Sequence, residues 1–209
     1  MNKKIIIFDM DGVIFDSMKI AQKYFIMKHP GVTPAMYKEM YIGNYHEESE
    51  KYLPLKLSEA KEKKLKDQTT YAEAKNKAPL FDGMKNLLTE LHKDGFLLVL
   101  NTSAFAKTTM PLLEKANIDC LFDFIATAEV SKSKVKKFNL IAKKYNTDKN
   151  NILFVTDSLG DVREADVAGI LTIAVTWGVH ERAYFNPEIN NNLIGIADSV
   201  EELKNIIRQ

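Results

Sequence analysis

Residues 5–16, IIIFDMDGVIFD, constrain the fold more than any other stretch. Ile5, Ile6, Ile7 and Phe8 form a continuous apolar run, the signature of a strand buried on both faces. The run stops at Asp9, and Asp11 and Gly12 follow. In an extended chain positions i and i+2 share a side, so Asp9 and Asp11 are expected together with Met10 turned away. Gly12 allows a sharp backbone turn beside them. Two carboxylates at the mouth of a buried strand are costly unless a cation or a proton compensates them. Asp and Gly are also ordinary turn residues, so the meaning of this pair depends on what the rest of the chain supplies. A calcium loop fits poorly, because the twelfth position counted from Asp9 is Ile20 rather than Glu.

The chain has 209 residues, 45% hydrophobic and 27% charged, enough for one substantial core and a small second unit. A formal net charge of +1 gives no global field that would select nucleic acid or an anionic membrane. Cys120 is the single cysteine, which permits no internal disulfide and no multi-cysteine metal site, and favours a reducing compartment. The apolar run after Lys3 and Lys4 is about five residues long, too short for a signal-peptide core. With no membrane-spanning run either, a cytoplasmic location is expected.

Residues 17–78 are rich in Lys, Glu, Met and Tyr and lack β-branched alternation, so they read as a helical insert. Ala21, Tyr24, Phe25 and Lys28 have helical spacing behind Ser17. Thr33-Pro34 reads as a second helix start, and 57–77 as a long polar helix opened by Ser58-Glu59-Ala60-Lys61. From Pro79 onward apolar strands (96–100, 122–126, 151–155, 171–175) alternate with amphipathic helices (83–93, 111–116, 134–145, 160–168), and a helix over 199–207 closes the chain. This is the pattern of a parallel α/β sheet. The expected organisation is an α/β core from 1–16 and 79–209, with a helical unit over 17–78. Three buried strands end in polar side chains: Asp9 and Asp11, Thr102 and Ser103, and Asp157. In open parallel sheets, ligands bind just outside such ends.

With these residues in view, the chain resembles the haloacid dehalogenase-like superfamily of phosphotransferases, in the subgroup that includes phosphoglycolate phosphatases and β-phosphoglucomutases. Asp9-Met10-Asp11-Gly12-Val13 is similar to the first motif, Thr102 stands at the second, Lys132 at the third, and Asp157 with Asp161 at the fourth. The resemblance implies a Rossmann-like three-layer core with a small helical cap over 17–78. It also implies a phosphatase acting on a small phosphorylated metabolite through an aspartyl-phosphate on Asp9, with Asp11 as general acid and base. Mg²⁺ is the implied cofactor, with Asp9, Asp157, the Asp11 carbonyl and Asp161 as its expected surroundings. Asp161 could instead support the lysine or act as a helix N-terminal acid. Thr102 and Ser103 are expected to bind the phosphoryl group and Lys132 to neutralise it. Lys134 is the alternative, because Ser133 replaces the family's proline after Lys132. The remaining lysines of this segment are expected on a solvated helix face. Tyr41 and Asn44, with Tyr45 and His46, lie in a Gly-containing break that could meet the substrate. A sugar phosphomutase, or a non-catalytic binder of a phosphometabolite, is the alternative. The mutases of the family carry Glu-Asp where this chain has Thr156-Asp157.

Overall fold

The computed structural model describes residues 4–52 and 70–209. Strand β1 (Ile5–Phe8) is fully buried and pairs in parallel with β2 (Leu97–Asn101) on one side and β4 (Ile152–Thr156) on the other. Beyond them lie β3 (Phe124–Ala126), β5 (Leu171–Val175) and β6 (Leu193–Ala197), giving a six-stranded parallel sheet ordered β3-β2-β1-β4-β5-β6. The order reverses at β1, so the crevice at this switch point opens above the ends of β1, β2 and β4.

The continuous apolar run of β1 is explained by its two faces. Ile6 and Phe8 join one buried cluster, with Leu87, Leu88 and Leu91 of α5 (Met84–Lys93), Leu112 and Leu113 of α6 (Ala106–Ala116) and Leu203 of α9 (Val200–Ile207). Ile5 and Ile7 join a second cluster, with Phe138 and Ile141 of α7 (Lys134–Lys144) and Ala165 of α8 (Leu159–Ala168). Each fully buried aliphatic side chain contributes about 1.5–3 kcal/mol, so neither face can be made polar cheaply.

Helices α1 (Met18–Lys28), α2 (Pro34–Glu39), α3 (Tyr45–Glu50) and α4 (Tyr71–Lys75) gather on the carboxyl side of the sheet. They have a small core of their own, in which Val32, Tyr37 and Met40 pack against Phe25, Tyr41 and Tyr45. Thr33 caps α2 and Thr70 forms a capping box with Glu73 on α4. Most of the helix expected over 57–77 lies outside the described residues; at position 70 that expectation is corrected, because Thr70 is extended and caps a separate short helix, α4. The helical unit sits closely on the sheet domain. A Cβ placed on Gly160, in the first turn of α8, would come within 2.0 Å of the Gly43 carbonyl oxygen, and Arg163 donates to the Ile42 carbonyl at 2.9 Å.

Two expectations need correction. Helix α6 begins five residues before Pro111, which stands inside it rather than at its start. The edge strand β6 was not expected, because Gly195 and the preceding asparagines read as loop. Among the described residues, no helix is long and apolar enough to cross a membrane.

Candidate active site

Asp9 leaves β1 with its amide still bonded to Val155 at 2.9 Å. Met10 turns into the core, fully buried, and Gly12 takes a φ of 79°. The expected division of Asp9 and Asp11 from Met10 is therefore found, and it leaves both carboxylates at the crevice. Asp11 Oδ1 accepts from Ser17 Oγ at 2.5 Å and Oδ2 from Lys75 Nζ at 2.7 Å. Lys75 lies on α4 and is only 1% exposed, so a buried ammonium of the helical unit holds a carboxylate of the sheet domain.

Lys134 Nζ lies 3.0 Å from Asp9 Oδ2 and 2.6 Å from Asp161 Oδ2, and donates to the Asn101 carbonyl at 3.2 Å. Thr156 Oγ1 donates to the same Asp161 oxygen at 2.8 Å. Burial lowers Lys134, but Asp161 and Asp9 together outweigh it and hold the ammonium above its ordinary range. Lys132, the residue expected here, points elsewhere: its side chain is 62% exposed and faces Glu50 at 3.9 Å. Ser133 caps α7, so Lys132 precedes the helix while Lys134 occupies its first position, facing the sheet ends. Lys134 and Lys137 share the buried face of α7 with Phe138 and Ile141; for Lys137 this is contrary to the solvated face expected, whereas Lys134 takes the role for which it was the alternative. This face was readable in the sequence as the helical series 134, 137/138, 141. Lys137 donates to the Thr102 carbonyl at 2.8 Å, and burial, followed by the Lys134 charge, lowers it to about 8.

Asp157, at the end of β4, is 2% exposed, and its Oδ2 accepts from the Val179 amide at 2.6 Å. Glycines flank it closely, for a Cβ on Gly12 or on Gly178 would lie 2.0 or 2.1 Å from that oxygen. Burial, then the Asp9 charge, raises the Asp157 carboxyl well above the usual range. Burial likewise pushes Asp9 up to about 7 against the pull of Lys134. Asp11 and Asp161 have turned to lysines, and among the described residues no three acidic, His or Cys side chains converge as a metal cage. What is left is a desolvated pair, Asp9 and Asp157, in a glycine-lined recess. That donor set fits Mg²⁺, which takes one or two carboxylates and completes its shell with carbonyl oxygen, water and phosphate.

Thr102 and Ser103 end β2 and line the same cavity of about 90 Å³ as Asp9, Asp11, Ser158 and Asp161. Its opposite wall is Tyr37, Tyr41, Tyr45 and Tyr71. Tyr41 thus meets the cavity as expected, but Asn44 does not. Its Oδ1 caps α3 by accepting from the amides of His46 and Glu47, and its Nδ2 donates to Glu164 at 3.0 Å. Trp177 lies under the turn, donating to the Val13 carbonyl at 3.3 Å. Sequence reasoning missed Ser17 as a partner of Asp11, and it missed Lys75. Only the fold brings Lys75 across 64 residues to Asp11.

The family model for haloacid dehalogenase-like hydrolases matches residues 6–175. A phosphoglycolate phosphatase from Vibrio parahaemolyticus is 26% identical over 222 residues, covering 98% of this chain and 96% of that protein. The tyrosine-protein kinase PtkA from Mycobacterium tuberculosis is also 26% identical, over 96% of this chain and 71% of that protein. A crystal structure of a predicted phosphoglycolate phosphatase from Haemophilus somnus superposes with a TM-score of 0.75 at 23% identity, covering 100% of this chain and 99% of that one. At that identity the structural match speaks for the fold.

Proposed function

The chain belongs to the haloacid dehalogenase-like hydrolase family, and from that premise we propose that it is a Mg²⁺-dependent phosphatase of small phosphorylated metabolites. The observation that carries this reading is the pairing of Asp9 with Lys134 while Asp11, two residues on, sits free of the Asp9–Asp157 pair at the cavity wall. One carboxylate is thereby set for attack on phosphorus and the other for proton transfer.

In this mechanism Asp9 attacks the phosphoryl group and the ester bond to the leaving oxygen breaks, forming an aspartyl-phosphate and splitting one difficult displacement into two. Asp11 gives its proton to the leaving oxygen, then takes one from the water that hydrolyses the acyl phosphate; such a residue contributes roughly 10²–10⁴-fold. Lys134 offsets the charge that builds on Asp9 and the transferring group, and Asp161 with Thr156 keeps it aimed there. Thr102 and Ser103 bind phosphoryl oxygens. Lys75 and Ser17 fix the Asp11 carboxyl, so that the helices over 17–78 serve as a cap that completes the acid–base group when it is seated. Mg²⁺, held by Asp9 and Asp157, would screen the nucleophile from the anionic phosphate. Family relatives named as phosphatases support the same direction of chemistry.

The test is release of inorganic phosphate from para-nitrophenyl phosphate. Turnover should require Mg²⁺, stop with EDTA, and fall by on the order of 10⁴-fold or more in Asp9→Asn. Undiminished turnover in Asp9→Asn would refute the nucleophile.

A further inference from the structure

Beyond the phosphoryl end, the cavity has walls of a different kind. Tyr41 stacks on Tyr45 with ring centres 4.9 Å apart and planes at 27°. Tyr37 meets Tyr41 edge-on at 5.4 Å, and their hydroxyls are hydrogen-bonded at 2.8 Å. The rings are therefore held in place by one another before any ligand arrives. The cavity adjoins a second space of about 180 Å³, which shares Ala21, Tyr37, Tyr45 and Tyr71 with it and is closed further out by Tyr24 and Phe25. Burial raises the hydroxyls of all four cavity tyrosines above the ordinary phenol range, so this wall carries no charge near neutrality.

No Lys, Arg or His is among the described residues lining the inner cavity. Lys75, a buried ammonium of the helical unit, is spent on Asp11. Lys28, the one cation on the outer space among the described residues, is exposed at its rim. A leaving group bearing a carboxylate would thus lose its hydration against phenols, with no cation among the described lining residues to compensate it. A flat uncharged face would instead stack, for about 0.5–1.5 kcal/mol beyond its area burial.

Resting on the phosphatase reading above, we infer that the alcohol released from the substrate carries an uncharged ring, aromatic or sugar, seated on the Tyr41–Tyr45 stack and reaching into the adjoining space, rather than a short carboxylate such as glycolate. The inference separates this chain, in the alcohol it accepts, from the phosphoglycolate phosphatases it resembles over nearly its whole length.

Three unactivated esters test it, each with Mg²⁺: benzyl phosphate for an aromatic ring, glucose 6-phosphate for a sugar ring and 2-phosphoglycolate for the acyclic carboxylate. At least one ring ester should exceed phosphoglycolate in kcat/KM by roughly tenfold, and which one does identifies the ring. In Tyr45→Ala that ratio should fall by roughly 5- to 10-fold while Tyr45→Phe, which keeps the ring, retains it. Ala21→Arg places a cation on the wall without removing a tyrosine and should move the ratio toward phosphoglycolate. A preference for phosphoglycolate in the unaltered protein, or an equal loss on all three esters in Tyr45→Ala, overturns the inference and leaves the phosphatase reading intact. No phosphate release from any ester, para-nitrophenyl phosphate included, overturns both.

Discussion

The two sides of the cavity are built on opposite principles. On the sheet side each charge is bound to a specific counterpart: Lys134 to Asp9 and Asp161, Lys137 to a carbonyl, Asp157 to the Val179 amide. On the helical side the described surface facing the cavity is phenolic and uncharged, and the one charged contribution among its described residues, Lys75, reaches across to Asp11. On the function proposed above, the sheet side specifies what is done to a phosphoryl group, and the helical side specifies which molecule brings it. Charges that must stay fixed come from strand ends and helix first turns, where the backbone is rigid. The inferred selectivity would come from rings on short helices.

That division is sharpest at the two lysines that flank Ser133. Lys134→Met should lower kcat by on the order of 10²–10³-fold, as expected for loss of a preorganised charge opposite the transferring group, whereas Lys132→Met should stay within about twofold of the unaltered enzyme. Steady-state phosphate release on both variants decides it, and a larger loss at Lys132 would reverse the assignment.

A second effect, of smaller size, crosses the boundary. Lys75→Met leaves every sheet-side residue in place but frees the Asp11 carboxyl. We expect kcat to drop by on the order of 10- to 100-fold with KM nearly constant, because a misplaced acid–base group penalises the reaction rather than binding. A change confined to KM would place Lys75 with the selectivity wall instead.

The last effect is on stability rather than on rate. Lys137 titrates near 8 in the folded chain against an ordinary 10.5, so between these values the unfolded chain binds more protons and stability rises with pH. Compared with Lys137→Met, the unaltered protein should gain at most about 3 kcal/mol across that window, read as a difference in urea midpoints. No difference between the two would mean that the ammonium is better solvated than its surroundings imply.

The same two sides differed in how far the sequence disclosed them. The apolar run ahead of Asp9, the two-residue step to Asp11 and the polar endings at Thr102 and Asp157 carry a local period, and these placed the sheet and three parts of the site. Lys134 could also be found locally, since 134, 138 and 141 lie on one helical face, although the family resemblance pointed first to Lys132. Lys75 was illegible: it is one lysine of many in a polar segment, and its value comes from a contact 64 residues away. The tyrosine wall was only partly legible. Tyr41 and Tyr45 fell in the Gly-containing break, whereas Tyr37 and Tyr71 come from separate helices that only tertiary packing unites. Edge strand β6 escaped for a local reason, as glycine and asparagine weaken a strand pattern.

The bare backbone at Gly160 sets a tolerance for all of this. With the Gly43 carbonyl where a methyl group would have to stand, even alanine would act as a wedge under the tyrosine-bearing lobe, leaving the mouth ajar. On the mechanism proposed above, solvent would then reach the acyl phosphate while the released alcohol still sat in the pocket, and the lobe's lysine would hang short of its carboxylate. One missing carbon thus sets how tightly the two halves can shut.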